Sequence, residues 1–130
     1  MSGEVNLEVL LNNMRPVLNT GDYVFCNVSS FDKIDLKQII GSFKEEEGIT
    51  LIISKAYADR LGLNYSSIMS WITLQIHSSL EAVGLTAVFS SILSKNNISC
   101  NVIAGYYHDH IFVLKEDAKK AVEVLNDFNK

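Results

Sequence analysis

Residues 70–85, SWITLQIHSSLEAVGL, decide the fold. Ile72, Leu74 and Ile76 alternate with Thr73, Gln75 and His77, the period of two that marks a strand with one buried face. Ser78-Ser79-Leu80-Glu81 follows at once, a Ser-x-x-Glu capping box whose side chains take up backbone donors left bare in a helix's first turn. A strand running straight into a helix is therefore predicted. The helix's core stripe is expected to be Leu80, Val83, Gly84, Ala87, Val88, Ser91 and Ile92, and Asn96-Asn97 can adopt the left-handed conformation that ends it.

Beyond that helix, 98–107 (ISCNVIAGYY) and 110–114 (HIFVL) read as a hairpin around His108-Asp109. A last helix follows, with Glu116 and Asp117 in its first turn, where they favour the positive dipole end, and with Ala118, Ala121, Val122, Leu125 and Phe128 buried. Before residue 70 the signals are weaker. Leu7, Leu10, Leu11 and Met14 recur at helical spacing until Pro16 stops them. Residues 22–29 (DYVFCNVS) read as a strand after the turn signal Asn19-Thr20-Gly21, and a weak helical turn is expected over Asp32–Ile39. A hairpin turning at Glu46–Gly48 leads into Ile49–Ile53, and Lys55–Leu61 forms a brief helix closed by Gly62.

Each half thus reads strand, helix, strand, strand, helix. A single offset lays Thr50–Lys55 over His110–Lys115, and also Ala58 over Ala118, Arg60 over Lys120 and Leu61 over Ala121, which implies an internal duplication. The expected fold class is α+β: two tandem ferredoxin-like lobes, 1–65 and 66–130, each an antiparallel sheet with helices on one face, joined through 62–69. The C-terminal half lacks the sixth element of a β-α-β-β-α-β unit. Its open edge calls for a strand from the other lobe or another subunit, and intimate pairing of lobes and a dimer are expected.

Composition narrows the function. The chain has 130 residues, 48% of them hydrophobic, enough for one compact core or two small lobes. A net charge of −4 leaves no basic stripe to neutralise phosphates, so no nucleic-acid partner is expected. Cys26 and Cys100 lie in apolar runs without CxxC spacing and read as buried thiols of a reducing cytosol. The opening residues carry Glu4 and Glu8 and no basic n-region, and no window approaches the ~18 to 20 apolar residues that span a bilayer, so a cytoplasmic location is expected and no membrane partner.

Chemistry-bearing residues are few. The junction Ile76–Leu85 places a helix N-terminus after a strand, where bare N–H groups and the dipole suit a carboxylate. The Ser78 and Ser79 hydroxyls can donate to it, His77 can point into the same crevice, and Gly84 admits a close backbone or ligand. Taken by themselves, the same residues read first as plain capping and packing, with His77 a strand-end histidine bonded to backbone. His108 and His110 share a face if the strand runs through them, a spacing that suits zinc with His77 or Asp109 as third donor; the competing reading is a polar turn flanked by Tyr106 and Tyr107. Glu45-Glu46-Glu47 reads as a solvated turn, and Tyr23, Phe25, Trp71, Tyr106 and Tyr107 as packing residues on strands. No Ser-His-Asp, Cys-His, H-E-x-x-H, P-loop or dinucleotide pattern is present.

Ile76–Leu85 together with 96–113 (NNISCNVIAGYYHDHIFV) resembles an ACT domain, the small ligand-binding regulatory module of amino-acid metabolism, and the duplicated chain resembles the small bacterial tandem ACT-like proteins. The resemblance implies that an amino acid binds at an interface between modules, with His77, Ser78 and Ser79 in the polar loop positions, Gly84 and Leu85 as the glycine and aliphatic, and Asn101 as the asparagine on the following strand. Val83 stands where the family carries a proline, and Ser29-Ser30-Phe31-Asp32 in the first lobe has no matching glycine. The resemblance further implies a non-catalytic regulatory protein without a cofactor, whose partners are a small carboxylate ligand, a second copy of itself and an unidentified protein. The alternatives are a ligand-free dimerisation module and a metal-binding protein.

Overall fold

The structure, a computed structural model, describes residues 14–75 and 85–127. The described chain forms two compact units: one takes the residues up to Thr20 together with those from Ser70 onward, the other is Gly21–Met69.

The Gly21–Met69 unit contains β2 (Tyr23–Val28), β3 (Gly41–Glu45), β4 (Gly48–Ser54) and α1 (Lys55–Leu61), with its three strands in the order β3-β4-β2. Both pairings are antiparallel, and β3 and β4 make the hairpin expected at Glu46–Gly48. Val24 and Cys26 of β2 and Leu51 and Ile53 of β4 point to one face, where they pack with Tyr57 and Ala58 of α1. Ser54 caps that helix by accepting the Tyr57 amide N–H at 3.1 Å. Gly62 ends it at φ +70°, a left-handed conformation that a Cβ would penalise. The weak helical turn expected over 32–39 is a single 3-10 turn, Leu36–Gln38, capped by Asp35.

The other unit holds β1 (Arg15–Leu18), β5 (Met69–Gln75) from Ser70 onward, α2 (Leu85–Lys95), β6 (Cys100–Ala104), β7 (Asp109–Leu114) and α3 (Ala118–Asp127). Its strand order is β1-β5-β7-β6. The open edge noted in the sequence is closed by β1, which pairs antiparallel with β5 from Arg15 opposite Gln75 to Leu18 opposite Ile72. Pro16 was expected only to stop a helix; it lies within β1 instead. A proline is tolerated there because an edge strand needs donors on one side only. The helix proposed from Leu7 to Met14 lies outside the described residues except for Met14, which is fully buried in this unit's core.

That core is built on the faces of β5 and β7 that carry Ile72, Leu74, Ile111 and Val113, covered by α2 and α3. On α3 the expected Ala118, Ala121 and Leu125 are buried and Val122 packs beside them; Phe128 lies outside the described residues. On α2 the expected stripe needs correction at Ala87 and Ser91, while Leu80, Val83 and Gly84 lie outside the described residues. Ala87 and Ser91 are exposed, and the helix turns Phe89 and Leu93 into the core with Val88 and Ile92 at its margin. Burying the larger side chains removes more apolar surface from water, about 1.5–3 kcal/mol for each fully buried one, so they set the helix's rotation. Asn97 closes α2 at φ +61°, as its position suggested.

Candidate functional site

Four residues expected to bind ligand, His77, Ser78, Ser79 and Gly84, lie outside the described residues. Their segment runs between Gln75, the last residue of β5, and Leu85, the first of α2. Asn101 is described: it lies exposed on β6, directly opposite Phe112 of β7. Directly paired residues share a sheet face, so Asn101 is on the face away from the helices.

The same face holds a polar cluster that single-residue reasoning did not assemble. Asn19, just after β1, donates its backbone N–H to the Trp71 carbonyl at 2.8 Å. Its side-chain amide reaches the same carbonyl at 3.2 Å and the Thr73 hydroxyl at 2.9 Å. Trp71 Nε1–H in turn donates to His110 Nδ1 at 3.0 Å, and Thr73 Oγ1 lies 3.1 Å from that nitrogen. The indole also stacks on Phe112, with ring centroids 6.1 Å apart. Alternation had placed Thr73 on the polar face of β5, which is where it stands, yet Thr73 and Phe112 are both buried. Asn19 carried only a turn signal in the sequence.

An indole N–H can only donate, so Nδ1 of His110 must present a lone pair, and the neutral ring carries its proton on Nε2. Burial, reinforced by the neighbouring His108 and opposed by Asp109, holds this imidazole below the ordinary histidine value. Gly105 lies against it: a Cβ there would sit 2.8 Å from the His108 carbonyl oxygen and 3.3 Å from His110 Nε2. The hairpin turns earlier than expected, at Gly105–His108, and is closed by the Gly105 N–H donating to the His108 carbonyl at 2.9 Å. Tyr106 and Tyr107 therefore stand at its tip and not on a strand, at 94% and 80% exposure, with their rings edge to face.

Among the described residues no group of three His, Cys, Asp or Glu is placed to hold a metal ion, and the Nδ1 of His110 is already engaged. Burial pushes the Cys26 and Cys100 thiols up, away from the thiolate form that reacts. Glu45, Glu46 and Glu47 are exposed at the β3–β4 turn, where the Thr50 hydroxyl donates to the Glu45 carboxylate. In the first lobe's counterpart loop the Asp32 amide donates to Ser30 Oγ at 3.2 Å, a local turn contact. No helix among the described residues is long and apolar enough to cross a membrane.

Two models of the ACT domain match the chain, one over residues 2–70 and one over 66–127. The chain belongs to the ACT-domain family. Its two ACT domains stand in tandem, and the ferredoxin-like arrangement of strands and helices agrees with that membership. The chain is also similar, at 50% identity and TM-score 0.90, to a protein of unknown function from Vibrio cholerae, described as a possible transport protein; the match covers 99% of this chain and 100% of that one. The fold recurs in aspartate kinase from Clostridium acetobutylicum, an allosteric enzyme, at 13% identity and TM-score 0.62, over 90% of this chain and 34% of the kinase. It recurs again in a putative C-terminal regulatory domain of aspartate kinase from Porphyromonas gingivalis, at 19% identity and TM-score 0.61, over 88% of this chain and 95% of that one. No curated protein matches. ACT domains are regulatory modules, and β1, which lies within the first match, pairs with β5, which lies within the second.

Proposed function

We propose that this protein is a non-catalytic cytoplasmic regulator that binds a small carboxylate-bearing metabolite, an amino acid, where β5 passes into α2. The observation that carries the reading is the tandem ACT match, supported by the fold's recurrence in aspartate kinase regulatory regions. Ser78, Ser79 and neighbouring backbone N–H groups take the carboxylate, His77 borders it, Gly84 allows close approach and Leu85 lines the apolar side. Asn101 reads the amino group or side chain. The two modules are 1–65 and 66–130, the first lending its β1 strand to the second. Ligand binding favours the homodimer arrangement that completes the pocket, and that shift in population is passed to a protein partner.

Calorimetry and thermal unfolding with a panel of the twenty amino acids test the reading. At least one is expected to bind, and at about a hundred times its dissociation constant to stabilise the protein by about 2.7 kcal/mol. Ser79→Ala is expected to weaken that binding. A panel with no response leaves a dimerisation module, and an affinity untouched by Ser79→Ala moves the pocket elsewhere.

A further inference from the structure

We infer that His110 is an acid-sensitive latch: neutral, it ties β7 to β5 through Trp71 and Thr73; protonated, it forces the tryptophan off. The latch needs no ligand and turns on the geometry of one nitrogen. Two donors converge on Nδ1, the Trp71 N–H at 3.0 Å and the Thr73 hydroxyl at 3.1 Å. The hydroxyl's own oxygen is occupied as an acceptor by the Asn19 amide at 2.9 Å, which leaves its proton for the imidazole.

The incoming proton must add to Nδ1, because Nε2 already bears one. The two donors then respond differently. Thr73 can rotate its hydroxyl and accept from the new Nδ1–H while still accepting from Asn19, since a hydroxyl oxygen has two lone pairs. Trp71 has no such option: an indole offers a donor and nothing else, so its N–H faces another N–H and must move away. The cost of protonation therefore falls on the β5–β7 contact and on the stacking of Trp71 over Phe112.

Among the described residues the titratable groups bearing on this imidazole are His108, which disfavours its charge, and Asp109, which favours it. Its other neighbours, Trp71 and Thr73 on β5, Ile103 opposite it on β6 and Gly105 beneath it, carry no charge. With the folded imidazole held below its unfolded value, the unfolded chain binds the proton more readily. The latch's contribution to stability is thus complete above about pH 6.5 and is lost as pH falls from there through the lowered value.

The full chain has one tryptophan, so its emission reports on the latch directly. Emission followed from about pH 8 down to about pH 4.5 is expected to change with a midpoint below the ordinary histidine value of about 6.5. His110→Gln should abolish the transition, whereas His108→Gln, by removing a like charge, should keep it and raise its midpoint. Imidazole nitrogen NMR on the wild type gives an independent reading and should find Nδ1 unprotonated at neutral pH. A flat emission profile, a transition surviving in His110→Gln, or a protonated Nδ1 at neutral pH overturns the inference.

Discussion

At the scale of single residues, Gly105 matters more than a loop glycine ordinarily would. The space its missing Cβ leaves is filled by the His108 carbonyl oxygen, 2.8 Å from where that carbon would stand, with the His110 ring just behind. A methyl group there must push backbone, which does not yield as a flexible side chain does. Gly105→Ala is expected to destabilise its unit by about 1–3 kcal/mol, the range for overpacking, measured by urea unfolding followed through Trp71. The same turn fixes the surroundings of both histidines. The backbone of one closes the hairpin, and Nδ1 of the other is claimed by Trp71 and Thr73.

Among the elements, α2 separates what a pattern shows from what packing decides. The asparagine pair marks its C-terminal end, where Asn97 takes the left-handed conformation, whereas the capping box lies outside the described residues. The helix's rotation is another matter, since stripes through Ala87 and Ser91 or through Phe89 and Leu93 both fit a period of 3.6. The bulkier pair wins, because a core gains by the area it hides. Leu93→Ala is accordingly expected to cost about 2–5 kcal/mol of stability, whereas Ser91→Ala, on the exposed face, should stay within about 0.5 kcal/mol; chemical denaturation of the two variants compares them.

On the scale of the molecule, the sequence modules and the compact units do not coincide. Met14 and β1 precede the entire Gly21–Met69 unit, yet Met14 is buried with Ile72, Phe89 and Leu125, and β1 is zipped to β5. A change near the start of the chain should therefore weaken the unit built from its second half. Met14→Ala is expected to cost that unit about 2–5 kcal/mol, seen as an earlier denaturation midpoint of Trp71 emission. Hydrogen exchange should place the loss of protection in β5 and β7, with β2 and β4 unaffected; protection lost chiefly in β2 and β4 would contradict the assignment.

The order of elements from β2 onward, the tandem repeat and the ACT resemblance were legible in the amino-acid sequence, because side-chain periodicity and turn residues act over a few neighbouring positions. Three things were settled only by tertiary structure. The strand that pairs with β5 beside β7 and β6 comes from Arg15–Leu18, a segment whose Pro16 argues locally for a break. The face α2 buries depends on volume and not on period. The cluster of Asn19, Trp71, Thr73 and His110 unites three stretches of chain, and its members carry no shared local signal. Each of these is a contact between residues far apart along the chain, where the free energy lies in the surface they jointly hide and the hydrogen bonds they jointly satisfy, and so belongs to no single segment.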